Sequence, residues 1–516
     1  MNNKYDIAVI GGGHNGLTLA SMLAKKGKKV IVLEKRPVMG GIAAGEEFHP
    51  GYKTVGLLHE TSGLRSQVVK TLELEKHGLQ LLPSQHGYSI LSRDGQILHV
   101  DPDINKTSQA IAAFSEKDAE AYKEYNIFIE KIRGLISSLF NETPPDLFNL
   151  GAVEAFQLMK KGIALKLLGK KTMLELLKVA PMSVADFLNE KFATDFIKAG
   201  LAGPAIYGSF TGPWSSYTTL NLLMHECTTG KAVKGGGQAV IDALLKCSEA
   251  NGVTLMTEAA VSQIMVDHNQ KVSGVKLHTG EEIVANAVAS SCPPQHTFFD
   301  LFEPKDLNYS LEQNIGHYRS RGTTAKVNLA INSSIKLNDV DQIAFARTGN
   351  SFDEMEKAFD AVKYGEFSNE PILDIHIPSV NDESLAPQGH SVVSILVHFA
   401  PHALKEGWNE EQKGQLYQTV LKTLEIYSPG ISQSVVGSEV LSPVDLEDRY
   451  GLTNGHIYHG EHAIDQLFTR PIPACAQYKT PFEGLFLCGS GSHPGGGITG
   501  MPGYLGAKSI LKYAKG

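Results

Sequence analysis

The stretch YDIAVIGGGHNGLTLASMLAKKGKKVIVLEK, residues 5–35, decides the fold. Tyr5–Ile10 is a short apolar run, as in a strand that is buried on both faces, and Asn15–Lys26 has the apolar spacing of a helix. Gly27 ends that helix, and a second strand follows over Lys29–Leu33. The sequence therefore predicts one βαβ unit with a glycine-rich turn between its first strand and its helix.

The motif Gly11-x-Gly13-x-x-Gly16 lies at this turn. Gly11 permits the tight turn, Gly13 lets a pyrophosphate approach the backbone, and Gly16 lets the helix pack on the strand. The helix N-terminus supplies free N–H groups for the phosphates. Glu34 ends the second strand; its carboxylate can accept hydrogen bonds from a ribose and would repel a 2′-phosphate, which disfavours NADP. The unit therefore predicts a dinucleotide site.

The βαβ unit alone does not choose between FAD and NAD. The chain has no second GxGxxG motif after a strand, and a single dinucleotide site in an enzyme of this size favours a resident flavin. The spacing from Glu34-Lys35 to Gly40-Gly41 resembles the FAD-binding signature of the amine oxidase and phytoene desaturase superfamily. In that family, the glycine pair continues the cofactor cradle toward the flavin.

The C-terminal stretch LFLCGSGSHPGGGITGMPGYLGAKSILKYAK, residues 485–515, is also rich in glycine. It predicts a buried strand over Leu485–Cys488, a loop that lets a flat ring lie against backbone, and a final helix over Gly503–Tyr513. The N-terminus of that helix would stabilise the negative charge of a reduced flavin. The strand, loop and helix are therefore predicted to return to the first domain and close the cofactor site.

The sequence of this loop resembles that of the branch of carotenoid desaturases, carotenoid isomerases and retinol saturases. Their G-x-G-x-H-P-G-x-G signature is matched by Gly489, Gly491, His493, Pro494, Gly495 and Gly497. The preceding segment, residues 455–471, resembles the subfamily called pyridine nucleotide-disulphide oxidoreductase domain-containing protein 2. No redox dithiol accompanies that resemblance, because none of the five cysteines forms a CxxC pair.

The middle of the chain predicts the second part of a discontinuous domain. A helix over Ala239–Ala250 and a strand over Val253–Met256 are followed by three β-rich runs between Val261 and Ala289. The superfamily has this order in its FAD domain, and the resemblance implies that the backbone of Val261 contacts the adenine end. An ordinary α/β subdomain would give the same elements.

The resulting fold class is α/β, a Rossmann-like FAD-binding domain of the glutathione reductase and amine oxidase type with an inserted α+β substrate domain. The predicted FAD-binding domain comprises residues 1–75, 230–295 and 475–516. The predicted substrate domain comprises residues 76–229 and 296–474. The predicted cofactor-binding residues are Gly11, Gly12, Gly13, Asn15, Gly16, Glu34, Lys35, Gly40, Gly41, Val261, Gly489, Gly497, Thr499, Gly500 and Met501.

Two histidines are candidates for acid/base chemistry beside the flavin. His493 lies inside the glycine-rich loop, and His59 follows the segment TVGLL. The alternative for His493 is a purely structural hydrogen bond within the loop. His225 and Cys227 lack a partner pair at ligand spacing, so no metal site is predicted.

A lysine-rich segment inside residues 150–200 suggests contact with a membrane. Residues 156–178 carry six lysines and one glutamate and have imperfect amphipathic helical spacing. A basic amphipathic helix can lie in a lipid interface. A lysine-covered helix packed on the protein would show the same pattern, so both interpretations stay open.

Composition excludes several classes of protein. The chain of 516 residues has a net charge of −8, which argues against a nucleic-acid partner, and contains no stretch of twenty uninterrupted apolar residues. The odd number of cysteines indicates a reducing compartment. The first strand begins by about residue 5, which leaves no room for a signal peptide, and a cytoplasmic location is expected, with peripheral contact to the inner face of a membrane as an option.

The leading functional hypothesis is an FAD-dependent oxidoreductase of the desaturase, saturase or isomerase type. Its substrate would be a lipophilic, unsaturated small molecule, and its electrons would pass to oxygen or a quinone. A flavin amine oxidase ranks lower because the His-Pro-Gly-Gly-Gly run is not usual in that branch. A non-catalytic binding or chaperone protein ranks lower still because every glycine of the cradle is present.

Overall fold

The computed structural model describes residues 4–146 and 149–514. Within them the strands are β1 (Tyr5–Ile10), β2 (Val30–Leu33), β3 (Glu47–His49), β4 (Tyr52–Lys53), β5 (Tyr88–Leu91), β6 (Ile97–Val100), β7 (Thr254–Met256), β8 (Val261–Val266), β9 (Val272–Leu277), β10 (Glu282–Ser290), β11 (Thr324–Ile331), β12 (Phe345–Thr348), β13 (Ile372–His376), β14 (Ser391–His398), β15 (Val435–Leu441) and β16 (Leu485–Leu487).

The α-helices of the same residues are α1 (His14–Ala24), α2 (Ser66–Leu72), α3 (Ile104–Ala112), α4 (Glu116–Phe140), α5 (Ala152–Leu167), α6 (Lys170–Val179), α7 (Val184–Asn189), α8 (Asp195–Ile206), α9 (Thr218–Thr228), α10 (Gly236–Ala250), α11 (Tyr309–Gly316), α12 (Phe352–Lys363), α13 (Glu410–Tyr427), α14 (Pro443–Tyr450) and α15 (Met501–Tyr513).

The first sheet joins the two ends of the chain. Strands β7, β2, β1 and β10 lie side by side in parallel, and β16 pairs with the end of β10, also in parallel. The start of β10 continues into the antiparallel β9 and β8. Helices α1, α10 and α15 contribute to the apolar core on this sheet. This parallel sheet with covering helices is the Rossmann-like fold that the sequence predicts.

The second sheet is formed by strands from the regions between the parts of the first. Its order is β15-β11-β14-β13-β12-β5-β6, and all neighbouring strands are antiparallel except β12 and β5. One face is apolar and packs against α13. The residues of that face include Ala325, Val327, Leu373, Ile375, Ile395 and Val397. The opposite face is polar in part and contributes to the site described below.

The closing helix α15 lies directly against α1. A side chain at Gly503 would overlap the carbonyl oxygen of Asn15, and one at Gly506 would lie 3.3 Å from Leu19. The two helices run in the same direction, so their N-termini lie together. This contact brings the head and the tail of the chain to one place.

The lysine-rich segment is not the single helix suggested by its spacing. It forms α5 and α6, which are separated at Gly169, whose φ of +79° favours glycine. Other boundaries shift by one to three residues: α10 begins at Gly236 rather than at Ala239, and the final helix begins at Met501, because Gly500 forms its N-cap, rather than at Gly503. Among the described residues, no helix combines the length and the apolar character needed to cross a membrane.

Replacing Gly503 by alanine tests the contact between α1 and α15. We expect Gly503→Ala to lower the free energy of unfolding by about 1–3 kcal/mol, because the added methyl group forces two packed helices apart. The matched control is Gly134→Ala in α4. A Cβ added at this position would have no atom of the described residues within 4 Å. That control should retain or slightly raise stability in a urea titration. Equal stability of the two variants would contradict the close packing.

Candidate active site

A long cavity runs along the carboxyl end of the first sheet. Its lining includes the turn after β1, the residues that follow β2, the start of β8 and the C-terminal loop. The predicted cofactor-binding residues that line it are Gly11, Gly13, Asn15, Glu34, Lys35, Gly41 and Val261. This is the position in which open α/β sheets bind their ligands.

The turn at the start of α1 has the shape of a phosphate cradle. A Cβ at Gly13 would meet no atom of the described residues within 4 Å, so its free side faces open space. Gly11, with φ of +92°, and Gly16 instead lie against the chain, where a side chain would overlap Ser291 and Gly11 respectively. The space beside Gly13 at a helix N-terminus therefore suits a pyrophosphate.

Asn15 has a buried side-chain oxygen that is available to a bound group. Its amide nitrogen donates a hydrogen bond to Ser490 Oγ at 3.2 Å, while its buried Oδ1 has no hydrogen-bond partner among the described residues. A buried polar atom is rarely left without a partner in a protein. Asn15 is thus positioned to contact both the C-terminal loop and a bound group.

Glu34 is held in place for ribose recognition. One carboxylate oxygen accepts a hydrogen bond from the N–H of Gly12 at 2.8 Å, and the other from the N–H of Arg36 at 3.0 Å. Each oxygen keeps a lone pair that a ribose hydroxyl can use. Lys35 lines the cavity and donates a hydrogen bond to the carbonyl oxygen of Asp448 at 3.2 Å.

The remaining predicted residues shape the backbone around the cavity. Gly40 donates a hydrogen bond to the carbonyl oxygen of Gly12, and a Cβ at Gly41 would lie 3.3 Å from Gly13 Cα. A side chain at Gly489 would overlap the carbonyl oxygen of Ser291. These glycines let the backbone segments around the cavity approach one another closely.

The C-terminal loop links the first cavity to a second one. His14 Nε2 lies 3.1 Å from the carbonyl oxygen of Gly497. Gly497 and Thr499 line the second cavity, and Gly500 and Met501 begin the helix behind them. The two cavities therefore adjoin at the loop, where the N-terminus of α15 contributes positive potential.

The second cavity is lined by both apolar and polar side chains. The apolar side chains are Leu58, Pro204, Met224, Leu396, Ile457 and Ile498. The polar side chains include His59, Glu60, Arg65, Tyr207, His225, Arg347, Asp374, His398, Tyr458 and His462. Such a mixture suits a substrate with a hydrocarbon part and a polar group.

Three of these polar side chains, Arg347, Asp374 and His398, come from strands of the second sheet. Arg347, Asp374, Leu396, Lys326 and Leu441 are successive neighbours across β12, β13, β14, β11 and β15. Side chains in such a row share one face of a sheet. The row places a guanidinium, a carboxylate and an amine beside the cavity.

Lys326, His59 and Asp374 form a connected group. Lys326 Nζ lies 2.7 Å from His59 Nε2 and donates to the carbonyl oxygen of Leu57 at 2.8 Å. His59 Nδ1 is 3.8 Å from a carboxylate oxygen of Asp374. Burial lowers the pKa of Lys326 to about 7, and burial together with the Lys326 charge lowers the pKa of His59 to about 4. His59 is therefore neutral near pH 7, at a position where a proton can be held or moved.

Two hydrogen-bonding groups of the cavity lack partners among the described residues, and a third group, a guanidinium, makes no ion pair there. No carboxylate among the described residues lies within 4.0 Å of the Arg347 guanidinium, which lies 4.0 Å from the centre of the Tyr88 ring. In the same part of the chain, Tyr207 Oη and both ring nitrogens of His398 are buried without a hydrogen-bond partner. The Tyr207 and His398 rings stack at 3.8 Å. Arg347, Tyr207 and His398 are called the donor cluster below.

His493 is not brought to either cavity. Its ring is fully buried beside Phe140 and Phe468, with centroid distances of 6.0 Å to each. Its ring nitrogens lie 3.3 Å from the carbonyl oxygen of Leu467 and 3.0 Å from that of Leu139. The structure therefore gives His493 the structural role, that of fixing the loop to α4, and His59 is the histidine that faces the cavity.

Sequence reasoning missed the residues of the second sheet that face the cavity. A signal was present: in TTAKVNLAI and ILDIH, polar residues such as Lys326 and Asp374 alternate with apolar ones. That alternation marks a sheet with one polar face, although it does not say what the polar face meets. Among the described residues, no group of three or more histidine, cysteine or acidic side chains forms a metal site.

Comparison with known proteins identifies the class. The family described as flavin containing amine oxidoreductase matches residues 16–503. Pyridine nucleotide-disulfide oxidoreductase domain-containing protein 2 of Rattus norvegicus is 32% identical, over 99% of this chain and 94% of that protein. Phytoene desaturase (lycopene-forming) of Pantoea ananas is 24% identical, over 96% of each chain. A solved triple mutant of putrescine oxidase, 15% identical with 99% of each chain covered, has a TM-score of 0.61, which shows a shared fold.

The chain therefore belongs to the flavin containing amine oxidoreductase family. It is a flavin-dependent oxidoreductase, and its cofactor is FAD. The resemblance to phytoene desaturases and to the subfamily named above is confirmed. The residues of this chain fit that cofactor. Gly13 leaves room for a pyrophosphate, the Glu34 carboxylate can accept hydrogen bonds from a ribose, and Gly497 leaves room for a flat ring. Bound FAD supplies a site that accepts a hydride from a substrate.

The space beside Gly13 at the start of α1 predicts that Gly13→Val loses the cofactor but still folds. We expect this variant to fold with nearly unchanged far-UV circular dichroism but to lose the visible absorbance of the flavin, because the new side chain fills the pyrophosphate position. Gly134→Val, which places the same β-branched residue at a glycine with open space around it, is the control and should keep the flavin absorbance. A yellow Gly13→Val protein would contradict this placement of the pyrophosphate.

Buried histidines predict a loss of stability in mild acid. Burial lowers the pKa of several, to about 4 for His14, His59 and His493 and to about 3 for His398, His456 and His459. The unfolded chain titrates near 6.5 and so binds protons that the folded protein does not between pH 6.5 and about 4. The free energy of unfolding should therefore fall as the pH decreases through this window.

Urea titrations at several pH values measure this dependence. We expect His398→Leu to reduce the number of protons taken up on unfolding by about one, since that ring is buried without a partner. The exposed His268 provides the control His268→Leu, which should leave the slope unchanged. A pH-independent stability of the unmodified protein between pH 6.5 and 4 would contradict the burial of these rings.

Proposed function

We propose that the protein oxidises or reduces a lipophilic, unsaturated substrate that carries one anionic group such as a carboxylate. The donor cluster is the observation that supports this proposal most strongly. Its guanidinium, phenol and imidazole groups can all donate hydrogen bonds. Among the described residues, the Tyr207 phenol and the His398 ring have no hydrogen-bond partner, and the Arg347 guanidinium makes no ion pair. Groups of this kind recognise carboxylates, and a guanidinium binds them with two parallel hydrogen bonds.

The hydrocarbon part of the substrate would lie on the apolar side chains near the C-terminal loop. Leu58, Ile457 and Ile498 supply that surface beside Gly497. Orientation in such a dry site accounts for much of the rate enhancement in hydride transfer. In the direction of desaturation, a hydride leaves one carbon for FAD, a proton leaves the neighbouring carbon, and a double bond forms between them.

His59 and Asp374 are the groups of this chain that can handle the proton. Burial would raise the pKa of Asp374, but the adjacent His59 and the positive charge of Arg347 lower it, so the carboxylate stays ionised. The hydrogen bond between His59 Nε2 and Lys326 fixes the orientation of the ring, with Nδ1 toward Asp374. Oxygen or a quinone would then take the electrons, as expected for a chain with one dinucleotide site.

A flavin amine oxidase is the second candidate. The carboxylates of Glu60 and Asp374 line the same cavity and could hold a cationic amine. The donor cluster favours an anion instead, because an amine brings further donors rather than acceptors.

Spectral titration of the flavoprotein tests the choice between these substrates. Long-chain unsaturated carboxylic acids should perturb or bleach the flavin spectrum under anaerobic conditions, their methyl esters should act more weakly, and amines should have no effect. In Arg347→Leu the dissociation constant of the acids should rise about 10- to 100-fold, because a hydrogen bond to a charged group is lost. Arg93 is exposed, so Arg93→Leu is the control and should bind the acids as tightly as the unmodified protein does.

Both variants should retain FAD, because neither Arg93 nor Arg347 lines the nucleotide cavity. Bleaching by amines with release of hydrogen peroxide, and no response to the acids, would overturn the proposal in favour of the amine oxidase. Equal affinity of the acids for Arg347→Leu and the unmodified protein would remove the donor cluster from substrate recognition.

A further inference from the structure

Helix α5 lies on the protein surface with most of its large apolar side chains turned outward. All of its residues are described, and none is buried. The half-buried ones, which lie on the side toward the protein, are Glu154, Lys161, Ala164 and Leu165. The exposed large apolar ones on the opposite side are Val153, Phe156, Met159, Ile163 and Leu167.

This orientation is the reverse of a normal surface helix, whose apolar stripe faces the core. Phe156 is 62% exposed and Leu167 is 79% exposed. Leu174 and Leu177 of α6, the next helix along the chain, are also exposed. These seven apolar residues are called the outer patch. A group of large apolar side chains exposed in this way marks a site of interaction.

Lysines without partners accompany the outer patch. Lys160 and Lys166 flank the apolar stripe of α5, and Lys170 and Lys171 begin α6; none of these four makes an ion pair with a described residue. Other lysines of the two helices are paired: Lys161 with Glu142 at 2.8 Å and Lys178 with Glu190 at 2.6 Å. The region is therefore locally cationic on a chain whose net charge is −8.

We propose that the outer patch and these four lysines bind the surface of an anionic lipid bilayer, with α5 lying in the plane of the interface. A bilayer offers an apolar layer and negative headgroups together, which this helix matches. A second copy of the chain fits less well, because a symmetric contact would bring like-charged lysines face to face.

A series of hydrogen bonds and one helix end connect α5 to the lining of the second cavity. Lys161 Nζ bonds to Ser138 Oγ in the last turns of α4, and Asn141 at the end of α4 accepts a hydrogen bond from Arg65 at 2.9 Å. Arg65 lines the second cavity. A bound membrane would therefore be near the site where we place a lipophilic substrate, although the binding itself does not depend on that assignment.

Vesicle co-sedimentation of the FAD-loaded protein tests this proposal. Vesicles of phosphatidylcholine mixed with phosphatidylglycerol should bind the protein, more weakly at high salt, and vesicles of phosphatidylcholine alone should bind it poorly. The combined variant Lys160→Gln, Lys166→Gln, Lys170→Gln and Lys171→Gln should reduce binding to the mixed vesicles at least about 100-fold, since each lysine near such a surface contributes about fivefold.

The apolar contribution has its own variant and control. Phe156→Ser, Ile163→Ser and Leu167→Ser together should abolish sedimentation, whereas Ile127→Ser, Tyr309→Ser and Ile464→Ser, at exposed positions elsewhere, should not. Flavin absorbance checks that each variant is folded. The proposal is overturned if neither vesicle binds the unmodified protein, or if the apolar variant and its control bind equally. It is also overturned if analytical centrifugation shows a dimer that the apolar variant loses, with no vesicle binding.

Discussion

The contact between the N-termini of α1 and α15 is the constraint on which the rest of the structure depends. Gly503 can lie against the carbonyl oxygen of Asn15 because it has no side chain, and Asn15 in turn bonds to Ser490, 475 positions away. Two helix N-termini thereby point at one region, which is favourable for a pyrophosphate and for the charge of a reduced flavin. Because the two ends of the chain meet, the strands of the second sheet come from the sequence between them.

The second sheet follows from this arrangement. Its apolar face is covered by α13, so its other face is available to close the cavity beside the flavin. Polar side chains on that face, Arg347 and Asp374 among them, are enclosed by the FAD-binding domain rather than exposed to water. This enclosure lowers the pKa values of His59 and Lys326 and leaves Tyr207 and His398 without hydrogen-bond partners among the described residues.

Local sequence patterns predicted the fold of the two ends well. The βαβ unit, the strand Tyr5–Ile10 and the C-terminal strand and helix depend on apolar spacing and glycine turns, which are local properties. His493 could not be placed in this way, because its surroundings are the rings of Phe140 and Phe468 from distant parts of the chain. Likewise, the spacing in residues 156–178 indicated a basic amphipathic segment but not which face meets the protein.

The central claim is that one FAD lies between the head and the tail of the chain, from Val261 to the C-terminal loop. Hydrogen–deuterium exchange of the flavin-free protein, with and without added FAD, measures this most directly. The account predicts slower exchange on FAD addition in three separate segments: residues 11–16, the start of β8, and residues 489–501. Protection confined to the first two segments, with the C-terminal loop unchanged, would contradict it.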